Sequence, residues 1–374
     1  MKKNPDCEPL EFNRTGLLEW FDQHQREMPW RHTGNPYDVL VSEIMLQQTR
    51  VATVVDYFER WMARFPTIEI LAAAQIEEIL EHWSGLGYYR RARNLHKAAQ
   101  EIRDRFQGQI PAEVATLREL PGIGPYTAGA IASIAFGAPA PLVDGNVNRV
   151  FTRHFAIPGD PLKGDAKRKI WALAKELIPE DRPGDFNQAL MELGSEICRA
   201  KSPLCSACPV QKSCRAFAID AVALFPEPKE RKKPKEMRGI TAILTRMIKG
   251  RRELLLRRRP EQGLLAGLWE FPTVEEMSTT WPSMEALQEL LEPLQENLPR
   301  LDNPEDFALE VEHIFSHRRL LLRVYEFSIP TPSGRTEDEN AWIWVAEEVL
   351  QEDRLATSAL VSKIFREREQ LRLL

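Results

Sequence analysis

The sequence lacks any apolar run that approaches the length of a membrane span. It also lacks a secretory signal, because residues 1–3 are basic but the polar stretch 4–9 follows where an apolar segment would be required. Neither a fibrous repeat nor a composition typical of disorder is present. These absences exclude membrane-spanning and fibrous proteins and predict a soluble, cytoplasmic one.

The sequence also lacks an excess of positive charge, since its formal net charge is −5. Because phosphate binding requires local positive potential, this value argues at first against a nucleic-acid partner. The acidic excess, however, lies mostly at 270–312 and 337–353. One predicted helix is rich in basic residues, namely Arg90, Arg91, Arg93, Lys97, Arg103 and Arg105. We therefore predict a basic face beside an acidic domain.

The length of 374 residues allows about two to three domains, each with its own core. Residues 1–224 place apolar side chains at helical spacing. Residues 225–237 are rich in proline and charge, which is typical of an extended linker. Residues 238–374 mix strand-like stretches at 240–245, 319–329 and 341–345 with helical periodicity at 284–291 and 357–371. We predict a multidomain protein in which an all-α region precedes an α+β domain.

The stretch 117–146 combines a short helix, a Pro-Gly-Ile-Gly turn, a second helix and an Asp-Gly-Asn triplet. Thr116 and Glu119 have the spacing of a capping box that opens the first helix. Gly122 and Gly124 allow a tight turn, and the N–H groups at the start of the next helix are left without helical partners. The pattern predicts a DNA-phosphate site, although an ordinary interhelical turn fits it too.

The run Leu120-Pro121-Gly122-Ile123-Gly124-Pro125-Tyr126-Thr127-Ala128, followed by 143–147, resembles the helix-hairpin-helix signature of the endonuclease III superfamily of DNA base-excision enzymes. Lyase members of that superfamily carry a lysine where this sequence has Tyr126. An amine forms a Schiff base with the sugar and a phenol does not. The sequence is therefore most similar to the monofunctional adenine glycosylase branch, the MutY type, from about Leu17 to the C-terminus.

This resemblance implies an all-α helix-hairpin-helix domain with two helical lobes and a cleft between them, followed by a Nudix-like α+β domain. It implies a monomeric base-excision enzyme whose partner is double-stranded DNA containing adenine opposite 8-oxoguanine. No membrane partner is expected, and other repair proteins are left open as partners. In a bacterium, such an enzyme would associate with the nucleoid.

Four of the five cysteines have the spacing Cys198-x6-Cys205-x2-Cys208-x5-Cys214. An intracellular protein keeps them reduced, which favours a metal site over disulfides, and the residue types alone leave zinc open. The spacing matches the four-iron, four-sulfur loop of the endonuclease III superfamily. The resemblance thus implies one structural 4Fe-4S cluster in loop 198–214, near the DNA phosphates. Cys7 is left as an ordinary thiol.

Two carboxylates are candidates for catalysis. Glu43 interrupts an apolar helix, and Asp144 precedes a helix that begins near Val147. A solvent-facing glutamate and a helix N-cap are the ordinary interpretations. The resemblance instead makes Glu43 the acid that protonates the departing purine and Asp144 the anion beside the sugar carbon. Asn146 and Tyr126 match family positions around Asp144 and are expected to orient it or the attacking water.

The resemblance also implies residues that bind the flipped adenine and the duplex around it. Gln48 and Tyr88 match the wedge residues that enter the base stack near the partner base, and their neighbours Thr49 and Leu86 are expected to contact the substrate. Surface and half-buried core roles also fit Gln48 and Tyr88. The residues that match positions lining the adenine pocket are Arg26, Trp30, Arg31, Leu46 and Gln188.

The stretch 263–272 resembles the start of the Nudix nucleotide-hydrolase box. No Arg-Glu-x-x-Glu-Glu array follows, so the carboxylates that would hold magnesium are absent. This fits the adenine glycosylase family, whose Nudix-like domain reads damage without hydrolysing nucleotides. Phe315, Ser316 and His317 resemble its recognition loop for 8-oxoguanine, although composition alone indicates only a strand end.

The predicted function is hydrolysis of the N-glycosidic bond of adenine mispaired with 8-oxoguanine or guanine, which leaves an abasic site. One alternative is a bifunctional glycosylase/lyase of the endonuclease III type, which Tyr126 disfavours. A second is a non-catalytic DNA-binding protein, which the retention of both carboxylates disfavours. An active Nudix hydrolase would require the missing metal-binding carboxylates.

Overall fold

Helices dominate the N-terminal part of the chain and strands the C-terminal part in a computed structural model. The structure describes residues 12–227, 234–260, 263, 265–292, 307–315, 318–329, 341–352 and 355–372. The chain divides into two compact units, Met1–Ala74 with Asn94–Glu230, and Gln75–Arg93 with Arg231–Leu374. No helix among the described residues is long and apolar enough to cross a bilayer.

The helices that precede the linker largely follow the apolar periodicity of the sequence. In the third of them, for example, Val54, Phe58 and Trp61 recur at helical spacing and are buried. The helices are α1 (Arg14–His24), α2 (Pro36–Leu46), α3 (Val51–Arg64), α4 (Ile68–Ala73), α5 (Ile76–His82), α6 (Arg90–Phe106), α7 (Val114–Leu117), α8 (Pro125–Ala130), α9 (Gly145–His154), α10 (Gly164–Leu177), α11 (Pro183–Glu196) and α12 (Arg215–Ala218).

Capping residues explain where two of these helices begin. The Asn35 side chain accepts a hydrogen bond from the Tyr37 N–H at the start of α2, and Pro36 occupies the first helical position. Asp144 caps α9 by accepting from the Val147 N–H, as the sequence predicts. The predicted capping box at Thr116 and Glu119 is wrong. Helix α7 has already begun at Val114, so Thr116 lies inside it.

A core formed by α1, α9, α10 and α11 fixes these helices in the first unit. Leu17, Phe151, Ile170 and Phe186 are fully buried in it. Helix α11 also approaches the start of α9 closely, because a Cβ added at Gly194 would lie 2.5 Å from the Cβ of Asn146. Only glycine therefore allows α11 to lie against the segment that carries Asp144 and Asn146.

The second unit is built on a mixed sheet with the strand order β3-β2-β1-β6-β5, in which β4 also pairs with β1 and β7 with β2. Strands β1 and β6 are parallel and the other pairs are antiparallel. The strands are β1 (Lys235–Ile248), β2 (Arg251–Arg258), β3 (Trp269–Glu270), β4 (Thr273–Glu276), β5 (Leu309–Phe315), β6 (Arg318–Ser328) and β7 (Trp342–Ala346). The helices are α13 (Met284–Leu291), α14 (Glu347–Gln351) and α15 (Ala359–Arg372).

Both faces of this sheet are covered, which confirms the predicted α+β domain. Ile243 and Leu254 face a core that includes Ile364 of α15. Their neighbours in sequence point to the opposite face, where Leu287 of α13 contributes to a second core. Because a core lies on each face of the sheet, successive residues of β1 such as Ile243 and Leu244 are both buried.

The structure departs from the predicted domain boundaries at two places, the linker and the segment Gln75–Arg93. Residues 228–233 of the predicted linker lie outside the described residues. Residues 235–237, which the composition assigns to the linker, instead begin β1 and pair with β6 from Lys235 onward. Gln75–Arg93, whose periodicity resembles that of the helical region, belongs to the second compact unit.

Candidate active site

Glu43 lies on α2 and is only 5% exposed, because the helix is buried on nearly all sides. The Tyr126 hydroxyl donates a hydrogen bond of 2.5 Å to Glu43 Oε2. Desolvation raises the pKa of Glu43 to about 7, since it outweighs the lowering effect of that hydrogen bond, and the negative charge of Asp144 adds to the rise. The sequence predicted a carboxylic acid that is protonated at this position, and the buried environment supplies the physical cause.

Tyr126 lies on α8, directly after the Pro-Gly-Ile-Gly turn. The sequence analysis expected it around Asp144, but its hydroxyl bonds to Glu43 and lies 3.3 Å from Met191 Sδ. Burial raises the pKa of Tyr126 well above its ordinary value, and the negative charges of Glu43 and Asp144 raise it further. The phenol therefore remains a hydrogen-bond donor towards Glu43.

Asp144 is held by two donors at the start of α9. Its Oδ1 accepts from the Val147 N–H at 2.7 Å, and its Oδ2 accepts from Asn146 Nδ2 at 2.9 Å. Burial raises the pKa of Asp144, whereas these hydrogen bonds and the charge of Arg149 act in the opposite direction. The helix cap thus also fixes the direction of the carboxylate, so the ordinary and the catalytic interpretations are compatible.

Arg149 holds Asn146 in place through hydrogen bonds. The sequence analysis did not identify Arg149 as a site residue. Its Nη2 donates to Asn146 Oδ1 at 2.7 Å and to the Gly194 carbonyl at 2.6 Å. Its Nε donates to the Cys198 carbonyl at 2.7 Å. Because the Asn146 oxygen is engaged by Arg149, the Asn146 amide nitrogen is directed to Asp144.

Arg26 and Arg31, two of the predicted pocket residues, converge on Glu192 of α11. The Glu192 side chain is 2% exposed and lies 2.5 Å from Arg26 Nε and 3.0 Å from Arg31 Nη2. Burial alone would raise the pKa of Glu192, but the hydrogen bonds from both guanidinium groups outweigh it and lower the pKa. Glu192 was missed because its partners lie more than 160 residues away in sequence. The only signal for Glu192 in the sequence was an acidic residue within a largely apolar stretch.

The remaining predicted residues of the first unit occupy varied positions. Trp30 is buried, with its ring edge-on to Phe58 at 5.2 Å between centroids. Leu46 ends α2 and is half-buried, as is Gln188 on α11. Gln48 is exposed and has a φ of 58°, and Thr49 beside it is half-buried.

The other predicted substrate contacts belong to the second unit. Leu86 is buried, whereas Tyr88 is 46% exposed. Phe315 ends β5, where it pairs with Arg318, and its ring lies 4.5 Å from that of His313. Ser316 and His317, which follow Phe315, lie outside the described residues.

The two glycines of the hairpin, Gly122 and Gly124, differ in backbone conformation and in surroundings. Gly122 has a φ of +79°, and a Cβ added there would lie 2.7 Å from the Cβ of Asn94, so both conformation and packing require glycine. Gly124 has an extended conformation and immediately precedes α8. A Cβ at Gly124 would meet nothing within 4 Å, so the space in front of this helix is open.

The four cysteines Cys198, Cys205, Cys208 and Cys214 line one cavity together with Arg153. Burial raises the pKa of the Cys208 thiol to about 12 and also raises those of Cys205 and Cys214. Arg153 Nη1 lies 3.4 Å from Cys198 Sγ and donates to the Arg199 carbonyl at 2.6 Å. In the described part of the chain, no three His, Cys, Asp or Glu side chains form a group that could hold a single metal ion.

The stretch 263–272 retains one acidic residue that could suggest metal binding, Glu270. Its carboxylate lies 2.8 Å from Arg257 Nη2 and 2.5 Å from Arg259 Nη1. Two guanidinium groups thus already neutralise it. This geometry agrees with the absence of a complete Nudix box from the sequence.

Comparison with known proteins identifies both parts of the chain. Residues 41–176 match the HhH-GPD superfamily of base excision DNA repair proteins, and residues 245–367 match the NUDIX domain. The adenine DNA glycosylase of Rattus norvegicus is 39% identical over 412 residues, which cover 96% of this chain and 78% of that protein. The chain belongs to the adenine DNA glycosylase family. The adenine DNA glycosylase of Homo sapiens is 38% identical over 406 residues, which cover 94% of this chain and 73% of that protein.

A solved structure supports the fold of the helical part. A thermostable thymine-DNA glycosylase matches with a TM-score of 0.51 and 29% identity over 55% of this chain and 95% of its own. The comparisons confirm the predicted helix-hairpin-helix glycosylase domain and the Nudix-like domain. The protein is therefore a DNA glycosylase of base-excision repair.

Proposed function

We propose that this enzyme hydrolyses the N-glycosidic bond of adenine placed opposite 8-oxoguanine or guanine in duplex DNA and leaves an abasic site. The observation that carries the proposal is the combination of a buried, protonatable Glu43 with the hydrogen-bonded carboxylate of Asp144 in the first unit. The names of the rat and human relatives support adenine as the excised base.

The two carboxyl groups have complementary roles in this reaction. Breaking the bond creates positive charge on the sugar and negative charge on the departing base. With a pKa of about 7, Glu43 retains a proton at neutral pH that it donates to a ring nitrogen of adenine. The carboxylate of Asp144, which accepts hydrogen bonds from Val147 and Asn146, stabilises the sugar cation. Tyr126 then orients Glu43, and Asn146 orients Asp144.

The pocket and wedge assignments complete the proposal. The target adenine leaves the base stack, and Arg26, Trp30, Arg31, Leu46 and Gln188 receive it. Glu192 holds Arg26 and Arg31 in place through its carboxylate. Gln48 and Tyr88 enter the duplex near the orphaned partner base, and Thr49 and Leu86, which lie near them in sequence, also contact the DNA. Gly122 and Gly124 bind a phosphate of the DNA backbone.

A lyase reaction is the second candidate, and one position argues against it. At the lyase position this chain has a phenol, Tyr126, and its hydroxyl is engaged with Glu43. A phenol cannot form the Schiff base through which a lyase cleaves the strand. We therefore propose a monofunctional enzyme.

We also propose that Cys198, Cys205, Cys208 and Cys214 hold one 4Fe-4S cluster. Four thiols that line one cavity fit the four thiolate ligands such a cluster requires. When bound, the cluster would crosslink the loop 198–214. Metal ligation would replace its buried neutral thiols with metal-bound thiolates. Arg153 and Arg149 connect this loop to α9 through the carbonyl of Cys198.

The metal content follows directly from this assignment. Protein purified without chelators should be brown and contain about four irons per chain. Cys208→Ser should lower the iron content and visible absorbance, because it removes one ligand. Cys7→Ser is the matched control and should change neither. Stoichiometric zinc without visible absorbance in the unmodified protein would refute the cluster.

The pH dependence of excision should report Glu43. The rate under single-turnover conditions should fall as pH rises through about 7, because Glu43 then loses the proton it must donate. Tyr126→Phe should move this decline to higher pH, since the lost hydroxyl stabilises the Glu43 carboxylate. A rate that stays constant from about pH 6 to about pH 9, which is about two units above the pKa of Glu43, would contradict the assignment of Glu43 as the acid.

Recognition of 8-oxoguanine requires a feature that guanine lacks. Oxidation turns the ring nitrogen N7 from an acceptor into a donor and adds a carbonyl at C8. We propose that Ser316, between Phe315 and His317, accepts from this donor through its hydroxyl or carbonyl oxygen. The target adenine is identical opposite every partner base, so selection depends on contacts to that partner.

Replacing Phe315, Ser316 and His317 together by alanine should lower the preference for adenine opposite 8-oxoguanine over adenine opposite guanine. A buried donor without a partner costs about 1–3 kcal/mol, so the expected loss is roughly fivefold to a hundredfold. Single-turnover rates and affinities for both duplexes measure it. The control replaces Ser278 and Thr280, which bond to each other elsewhere in this domain, by alanine. An unchanged preference in the triple variant would show that the side chains of Phe315, Ser316 and His317 do not read the lesion.

A further inference from the structure

The segment Gln75–Arg93 belongs to the same compact unit as the Nudix-like sheet, although it precedes that sheet by more than 140 residues. It carries Tyr88 in the turn 84–89, which breaks the helical pattern between α5 and α6. An aromatic side chain that is 46% exposed can stack on a base, provided that the turn holds it in a fixed direction.

The turn is held from within by its own neighbours. Gly85, Gly87 and Tyr88 all have positive φ, at 91°, 68° and 49° respectively, so the backbone adopts a conformation that few other sequences allow. Arg91 Nη2 donates to the carbonyls of Leu86 and Gly87 at 3.1 Å each. The Arg91 guanidinium also lies 5.6 Å from the centre of the Tyr88 ring. These contacts fix the shape of the turn but not its place on the domain.

The hydroxyl of Tyr89 connects the turn to the rest of the unit. It accepts a hydrogen bond from the Gly85 N–H at 3.4 Å and donates one to the Thr357 carbonyl at 2.7 Å. Tyr89 is 6% exposed, so water does not readily replace either partner. Thr357 forms an isolated parallel β-bridge with Trp269, and the Trp269 N–H donates to the Ala356 carbonyl at 3.0 Å. Through Thr357 the turn is therefore attached to the stretch 263–272.

Two further contacts join the segment Gln75–Arg93 to other residues of the same unit. Arg93 Nη2 donates to the carbonyl of Ala266, within the stretch 263–272, at 3.1 Å. Arg258 Nη2 lies 2.8 Å from Glu77 Oε1 near the other end of the segment. The segment is thus held on both sides of Tyr88, and two of the three acceptors are backbone carbonyls.

We infer that residues 265–272 together with Thr357 hold the segment Gln75–Arg93 in place, and that Tyr89 and Arg93 are positioning residues that direct Tyr88 at the partner base. This inference rests on the proposed function, because it requires Tyr88 to enter the duplex. It gives the incomplete Nudix motif a role that needs no metal: its backbone accepts from Arg93, and its Glu270 is neutralised by Arg257 and Arg259.

The energetic reason concerns the entropy of binding. A side chain that must be ordered when the duplex binds lowers the affinity, whereas a side chain already held in direction does not. Loss of the Tyr89 hydroxyl leaves the aromatic ring in place but frees the turn from Thr357. Binding of the lesion duplex should then weaken even though no atom that touches DNA has changed.

Tyr89→Phe should weaken affinity for a duplex with a non-cleavable adenine analogue opposite 8-oxoguanine by about fivefold, a typical effect of one net hydrogen bond. Tyr37→Phe is the matched control. Tyr37 is also a buried tyrosine, and its hydroxyl donates to the Phe65 carbonyl at 2.7 Å, but it lies in the first unit. Both variants should lose similar thermal stability, and only Tyr89→Phe should lose affinity. Equal losses of affinity in the two variants would overturn the inference.

A double-mutant cycle tests whether Tyr89 acts through Tyr88. Tyr88→Ala alone should weaken binding, and Tyr89→Phe added to Tyr88→Ala should cause little further loss. Arg93→Met, which removes the donor to Ala266 but keeps the aliphatic stem, provides a second cycle with the same expected result. Additive losses in the cycles would refute a positioning role. Absence of adenine excision by the unmodified protein would instead refute the proposed function.

Discussion

Glu43→Gln should lower the single-turnover rate of adenine excision by about a hundredfold to ten-thousandfold, the range that general acids contribute. Glutamine has nearly the shape of protonated glutamic acid and can still accept from Tyr126, but it cannot transfer a proton to the purine. Affinity for a non-cleavable substrate analogue should stay within about tenfold, because the lost interaction acts on the transition state. The measurement compares rate and affinity on the same duplex.

The matched control for this variant is Asp38→Asn. Asp38 lies on the same helix, is also buried and has a pKa that burial raises, but it precedes Glu43 by more than one helical turn. If the amide substitution acted only by disturbing α2, both variants would lose activity. We expect Asp38→Asn to change stability and to leave the excision rate nearly unchanged. Near-normal turnover in Glu43→Gln would remove Glu43 from the mechanism.

Asp144→Asn should lower the excision rate by about a hundredfold to a thousandfold, the range found when one stabilising group is removed from a developing charge. Asparagine caps helices as well as aspartate does, and its oxygen can still accept from the Val147 N–H. The variant therefore keeps α9 capped while it removes the negative charge beside the sugar. The comparison of single-turnover rate with thermal stability separates these two effects.

The pattern of losses in Asp144→Asn distinguishes chemistry from structure. A thermal midpoint close to that of the unmodified protein, together with a large loss of rate, supports the role of the anion. Parallel loss of stability and rate would indicate that Asp144 serves mainly as the cap of α9 and would contradict the proposed stabilisation of the sugar cation.

Local sequence patterns were sufficient to predict elements whose own residues determine them. The helix Met284–Leu291 matches the predicted range 284–291, because its apolar residues recur at helical spacing and Ser283 caps it. Asn35 before Pro36 likewise marks the start of α2. Thr116 misled the prediction, because it has the residue type of a cap but lies inside a helix that Val114 had already begun.

Contacts between residues distant in sequence could not be predicted in this way. Glu192 gains its role from Arg26 and Arg31, and Arg149 from its bonds to Asn146 and Cys198. Each is an ordinary charged residue of a helix until packing brings its partners within reach. The segment Gln75–Arg93 likewise belongs to the second unit because of contacts with residues distant in sequence.

The proposed catalytic pair, Glu43 and Asp144, was assigned from the family resemblance, and the structure adds the environment of each carboxyl group. A glutamate in an apolar helix is solvent-facing in most proteins, so the residue type alone does not indicate an acid. The burial of Glu43, together with the negative charge of Asp144, raises its pKa to about 7, although the hydrogen bond from Tyr126 lowers it. Sequence patterns contain none of these effects, because all of them depend on how α2 packs in the folded chain.

The most direct test of the account uses duplexes that pair adenine with 8-oxoguanine, guanine or thymine. After incubation with the unmodified protein, the strands are analysed with and without alkali. We expect abasic sites opposite 8-oxoguanine and guanine, little product opposite thymine, and strand cleavage only after alkali, because Tyr126 offers no amine. Strand cleavage without alkali, together with a protein–DNA adduct trapped by borohydride, or the absence of abasic sites from every duplex, would contradict the account.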